Sequence, residues 1–125
     1  MNIVTYNTFE EARTQIMTAA MRSEAHRAAE EYFYNALDGE DRGACGFAWV
    51  EIVPKHKGNT RDGKAERKIF AAMGFEKSWD GKNYYLWNPA SFPVQNVDVL
   101  YAGARAAAKF LQDQGFSAHA RSRLD

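Results

Sequence analysis

The chain carries a single cysteine, Cys45, in 125 residues. An internal disulfide is therefore excluded, and a reducing compartment is the natural setting. No apolar run approaches the roughly 20 residues that a membrane-spanning helix needs. The opening MNIVTYNTFEEARTQ lacks the basic start and apolar core of a secretory leader. The expectation is a soluble, intracellular protein with no membrane partner. Excess charge of either sign is also missing, since 16 Lys and Arg balance 16 Asp and Glu. This balance argues against the strongly basic proteins that hold nucleic acid mainly through its phosphates. His26, His56 and His119 show no ligand spacing, so no metal site is indicated. The carboxylates form no evident acid–base couple. Cys45 falls in a stretch expected to be a buried strand, with no neighbouring base. No catalytic residue and no cofactor is indicated, which leans against an enzyme.

What is present is core-forming material: 46% of the residues are hydrophobic, among them 8 Phe, 6 Tyr and 3 Trp. That amount suits one domain over residues 1–125, folded without metal or disulfide. Thr8 and Glu11 have the spacing of a capping box, and apolar residues at steps of three and four predict a long helix over about 8–38. LDGED stops that helix. An α+β core over about 43–125 is expected to follow. ACGFAWVEIV, apolar on both faces until Glu51, predicts a central strand that ends at Pro54. A helix over 61–73 follows, with Ala65, Ile69, Ala72 and Met73 as its core face. Gly74 stands at its left-handed cap and Phe75 behind it. FEKSW-DG-KNYYLWN reads as a hairpin with a type I′ turn at Asp80-Gly81. Asn96 or Asp98 caps a last helix over 98–114. Gly115-Phe116 then repeats the Gly74-Phe75 ending, and FSAHARS forms a last strand. The order α-β-α-β-β-α-β predicts a two-layer α+β sandwich, with about four strands in a mixed or antiparallel sheet and the helices on one face.

Charge is unevenly placed within this neutral chain. Residues 54–68, PKHKGNTRDGKAERK, hold six basic residues against two acidic ones, and residues 10–41 are rich in acids. A Gly/Asn loop entering a helix can aim backbone N–H groups at an anion. Lys55, His56, Lys57, Gly58, Asn59, Thr60, Arg61 and Lys64 are therefore candidate ligands for a phosphate-bearing partner. Thr60 or Asn59 equally serves to cap the helix, with the charges on a solvated flank. The stretch has the cadence of an acyl-coenzyme A turn, but Thr60 stands where that motif needs Gln or Arg. The phosphate-loop spacing G-x-x-x-x-G-K-[ST] is absent. Arg121 and Arg123 share one face of the last strand and suit bidentate contact with phosphate or carboxylate. Near the hairpin, Trp79, Tyr84 and Trp87 are candidates for stacking on bases, or else fill the core. Alternation puts Tyr84 on one face, and Tyr85 and Trp87 on the other.

Six pieces, GACGFAW, KGNT, WNP, VQN, AGARA and SRLD, carry a resemblance over roughly residues 43–125. The chain resembles a group of small uncharacterised proteins of tailed bacteriophages. The resemblance implies a phage-encoded protein acting in the cytoplasm of the host bacterium, or travelling in the virion. It assigns no catalytic residue. The resulting expectation is a non-enzymatic phage binding module that engages an anionic partner (a nucleotide, nucleic acid or an acidic host-protein surface) through the basic loop. The alternatives are an oligomeric, virion-associated or host-interaction protein, whose acidic first helix meets a basic surface of another subunit, and a small enzyme using a nucleotide or acyl donor.

Overall fold

A computed structural model describes residues 6–125, with side chains from residue 9 onward. Three helices and four strands alternate as α1 (Tyr6–Ala36), β1 (Gly46–Val53), α2 (Arg61–Ala72), β2 (Glu76–Lys77), β3 (Tyr84–Trp87), α3 (Val97–Asp113) and β4 (Ser117–Leu124). This is the expected α+β order. All neighbouring strands pair antiparallel, in the order β2-β3-β1-β4, so β1 is central and β4 lies at one edge. From β1 onward the connectivity is the split β-α-β arrangement.

The helix ends follow local chemistry. Thr60 caps α2, its side chain accepting from the Gly63 N–H, and the Asn96 side-chain Oδ1 accepts from the N–H groups of Asp98 and Val99 at the start of α3. α2 and α3 close in the same way, with Gly74 and Gly115 at φ 92° and 96°, and the N–H groups of Phe75 and Phe116 donating to Phe70 and Leu111 carbonyls at 3.0 Å. Both phenylalanines pack on or against the core. α1 begins by Tyr6, so Thr8 lies within the helix and not at its cap. The side chain of Thr8, and with it the proposed capping box, falls outside the described residues.

The core lies between one face of the sheet and the helices. Ala48, Val50 and Ile52 of β1 share one buried cluster with Phe70 of α2, Met73 at its C-terminal cap, and Val99, Leu100, Ala104 and Leu111 of α3. Some expected faces are corrected in part. Of the face expected on α2, Met73 at its end is buried and Ile69 packs against the core, but Phe70 is buried as well and Ala65 and Ala72 are exposed. The bulky Phe70 carries more hydrophobic free energy than an alanine and turns the helix accordingly. On α1 the buried stripe is Met21, Ala25 and Ala29, packed along α3, while Phe9 and Ile16 are 58% and 71% exposed. α1 has 31 residues and α3 has 17. At 1.5 Å per residue these are about 46 Å and about 25 Å long, so α1 overhangs its partner. Gly103 permits their close approach, since a Cβ there would lie 3.1 Å from the Ala25 carbonyl oxygen. The β2–β3 hairpin has a four-residue connection, Trp79–Lys82, closed by Ser78 and Asn83. Of Asp80 and Gly81 only Gly81 has positive φ, which rules out the type I′ turn expected there. No helix among the described residues is long and apolar enough to cross a membrane.

Candidate functional site

The basic loop is occupied by its own helix. Thr60 Oγ1 and the Thr60 N–H both donate to the Lys57 carbonyl, at 2.6 and 3.1 Å. One turn on, Gly63 packs so closely that a Cβ would stand 1.8 Å from the Lys57 oxygen. The Glu66 carboxylate then reaches back and accepts from the backbone N–H groups of Lys55 and His56, at 3.2 and 2.8 Å. Arg67 Nη1 donates to the His56 and Gly63 carbonyls, both at 3.0 Å. Lys55 donates to the Gly115 carbonyl. Thus an internal carboxylate already sits on the N–H groups of Lys55 and His56. Lys57, Gly58, Asn59, Arg61 and Lys64 remain exposed around it.

The other face of the sheet has a different character. Among the described residues no helix covers it. Alternation along β1 sends Phe47, Trp49, Glu51 and Val53 outward, opposite the buried set. Pairing sets Trp87 of β3 and Arg121 of β4 on either side of Trp49, and Arg123 opposite Phe47. The rings form a continuous cluster: Trp49 and Trp87 are 4.7 Å apart, Tyr85 and Trp87 5.6 Å, Phe47 and Trp87 6.2 Å. Yet Phe47 and Trp87 stay 41% and 44% exposed. The Arg123 guanidinium lies 5.4 Å from the Phe47 ring centroid, a cation–π contact. Arg121 Nε donates to Glu51 at 3.2 Å, and Tyr85 Oη donates to Glu76 at 3.2 Å.

At the Gly46 end of β1 this face runs into an open cavity of about 580 Å³. Phe47, Trp87, Asn88, Gln95 and Arg123 line it. Four of the six sequence pieces quoted above, GACGFAW, WNP, VQN and SRLD, contribute to its walls. Backbone bonds bring them together: Gly46 N–H to Gln95 O, Val97 N–H to Ala44 O, and Asn88 N–H to Ala48 O. Asn88 takes φ 41°, and its buried Oδ1 has no hydrogen-bond partner, an uncommon state for a buried acceptor. Cys45 corrects another expectation. It stands one residue ahead of β1, bridged through its backbone to Asn96, and is exposed on the cavity wall.

The residues proposed from sequence therefore do not form one site. The loop follows the Val53 end of β1 and the cavity adjoins the Gly46 end, roughly 24 Å away along an eight-residue strand. Trp87, Arg121 and Arg123 belong to the open face. Trp79 is 99% exposed on the hairpin connection, near the Val53 end. Tyr84 points inward, packs 5.1 Å from the Phe70 ring and is buried, so it is unavailable for stacking on a ligand. Phe47 and Trp49 were not among the expected site residues, whereas Asn88 and Gln95 belong to the WNP and VQN pieces. The acids of α1 are partly answered from within that helix: Arg27 donates to Glu24 and Glu31, and the Glu24 hydrogen bond is the leading cause that raises its pKa. No protein-family model, curated protein or solved structure matches the chain.

Proposed function

We propose that this protein is a non-enzymatic binding module for single-stranded nucleic acid, held by stacking on the open face of the sheet. The observation that carries this reading is the aromatic cluster on the two middle strands, with Phe47 of β1 and Trp87 of β3 exposed and Trp49 and Tyr85 half-buried between them, beside Arg121 and Arg123. RNA-recognition modules stack bases on aromatic residues of a four-stranded sheet in this manner, an analogy of architecture. Stacking supplies about 1–3 kcal/mol per base whatever the base. The anionic class of ligand inferred from sequence is kept, and its seat moves from the loop to the sheet. Net neutrality fits such a binder, because the charge needed is local. Arg121 and Arg123 are two residues apart, about 6.6 Å along the strand. The bacteriophage setting implied by the resemblance belongs to the same proposal, in the host cytoplasm or the virion.

The test is a titration with short single-stranded oligonucleotides. Tryptophan fluorescence should be quenched, and binding should protect Cys45 from thiol reagents. With two phosphates neutralised, log K should fall with log salt at a slope of about −1.4. Unchanged fluorescence and unchanged Cys45 reactivity at saturating oligonucleotide would exclude the reading. A second reading, an assembly or host-interaction protein, is favoured by Phe9 and Ile16 exposed on the overhang of α1. Concentration-dependent mass in solution, lost in Phe9→Ser/Ile16→Ser, would support it.

A further inference from the structure

β4 has eight residues, contains no proline, and is the outermost strand on its side of the sheet. Its pairing with β1 leaves its other edge without a strand partner; there the Ala118 carbonyl accepts from Gln112 Nε2 at 2.7 Å, and the backbone groups beyond Ala118 point away from the sheet. Beside that edge, where α3 packs against β4, lies an open groove of about 630 Å³ lined by both elements. Its α3 wall sets the small residues Ala102 and Ala106 between Tyr101 and Gln112. Its charged lining is all cationic, from Arg105 and Lys109 on α3 and Arg121 on β4, with His119 between them. Two of these cations also pair within the chain, Lys109 with Asp113 at 3.8 Å and Arg121 with Glu51 at 3.2 Å, and Arg105, Lys109 and Arg121 are all exposed to solvent. Such an edge is a template for strand addition. A second copy of β4 is a poor occupant, since antiparallel self-pairing would set His119, Arg121 and Arg123 among their own counterparts, and like charges across strands destabilise.

We infer that the β4–α3 groove binds an acidic, extended segment of another polypeptide by strand addition to β4. Main-chain hydrogen bonds to β4 would hold the segment. Its carboxylates, on alternate residues, would face the α3 side and meet Arg105 and Lys109. The inference stands apart from the stacking face, because Arg105 and Lys109 are not on it.

The probe is an end-blocked eight-residue peptide with glutamate at alternate positions and threonine or valine between them. Two companions complete the set, one with lysine replacing glutamate and one N-methylated at alternate residues. The readouts are amide chemical shifts and hydrogen exchange of β4. The acidic peptide should slow exchange of the free-edge amides at least tenfold, and neither companion should. Arg105→Glu/Lys109→Glu, two exposed changes whose folding is verified by circular dichroism, should weaken the acidic peptide at least tenfold. The same variant should leave oligonucleotide quenching unchanged. The inference is overturned if the lysine or N-methylated peptide protects β4 equally, or if charge reversal has no effect on the acidic one. It is also overturned if β4 becomes protected with protein concentration alone, or by an oligonucleotide and not by the acidic peptide.

Discussion

The loop at 54–60 follows the same strand that carries the outward face of the sheet, and the two regions differ in what answers their side chains and backbone. The loop is rich in charge, and much of its polar backbone is already satisfied: Glu66 takes two of its N–H groups, Arg67 binds one of its carbonyls, and Thr60 caps the helix it feeds. The sheet face is modest in charge but keeps large rings in water, with nothing above them among the described residues. Burying an aromatic side chain is worth more than most single contacts in a fold. Unused aromatic surface therefore marks a binding site more sharply than a solvated cluster of lysines, whose exposure costs nothing.

The comparison breaks most easily at Gly63. Gly63→Ala would drive a methyl into the Lys57 carbonyl, and the backbone on both sides is fixed by the Thr60 cap. Stability should fall by about 3 kcal/mol in urea unfolding. Glu66→Ala comes next. It strips the acceptor from the N–H groups of Lys55 and His56, so about 1 kcal/mol of stability should be lost, and oligonucleotide binding should be untouched. Lys57→Ala/Arg61→Ala removes exposed charge alone and should change stability by less than about 0.5 kcal/mol.

The smallest effect lies at the hairpin tip. Asp80 accepts from Ser78 Oγ and the Lys82 N–H, and the Ser78 hydrogen bond is the main cause that holds its carboxyl below the usual carboxylate value. A carboxyl with a lowered folded-state pKa stabilises above its unfolded value. That support is lost as pH falls through the depressed folded value. Amide exchange of Lys82, corrected for its intrinsic pH dependence, should therefore show the turn intact at neutral pH and loosened in acid. Asp80→Asn should abolish the transition.

The ends of α2 and α3 were legible in the sequence because their causes are local. Gly74-Phe75 and Gly115-Phe116 specify the same closure, and Asn96 needs only its next three residues to act as a cap. The face of α2 was not legible from spacing alone, because alanines on one side and Phe70 on the other give competing stripes, and packing volume decides between them. The aromatic face was misjudged for a related reason. A strand apolar on both sides reads as doubly buried, yet β1 is buried on one face and offers Phe47 and Trp49 on the other. The cavity was hidden by distance in sequence. Its walls come from residues 45–48, 87–88, 94–95 and the C-terminal end of β4, which meet only through strand pairing and the Cys45–Asn96 bridge.

One measurement separates the two regions most directly: affinity for a single-stranded oligonucleotide in Trp87→Ala beside Lys57→Ala/Arg61→Ala, at fixed salt. The stacking account expects Trp87→Ala to lose about 2 kcal/mol, roughly thirtyfold in affinity, while the loop variant binds within about twofold of the parent. The reverse pattern, affinity lost with the loop lysine and arginine and retained without Trp87, would contradict it.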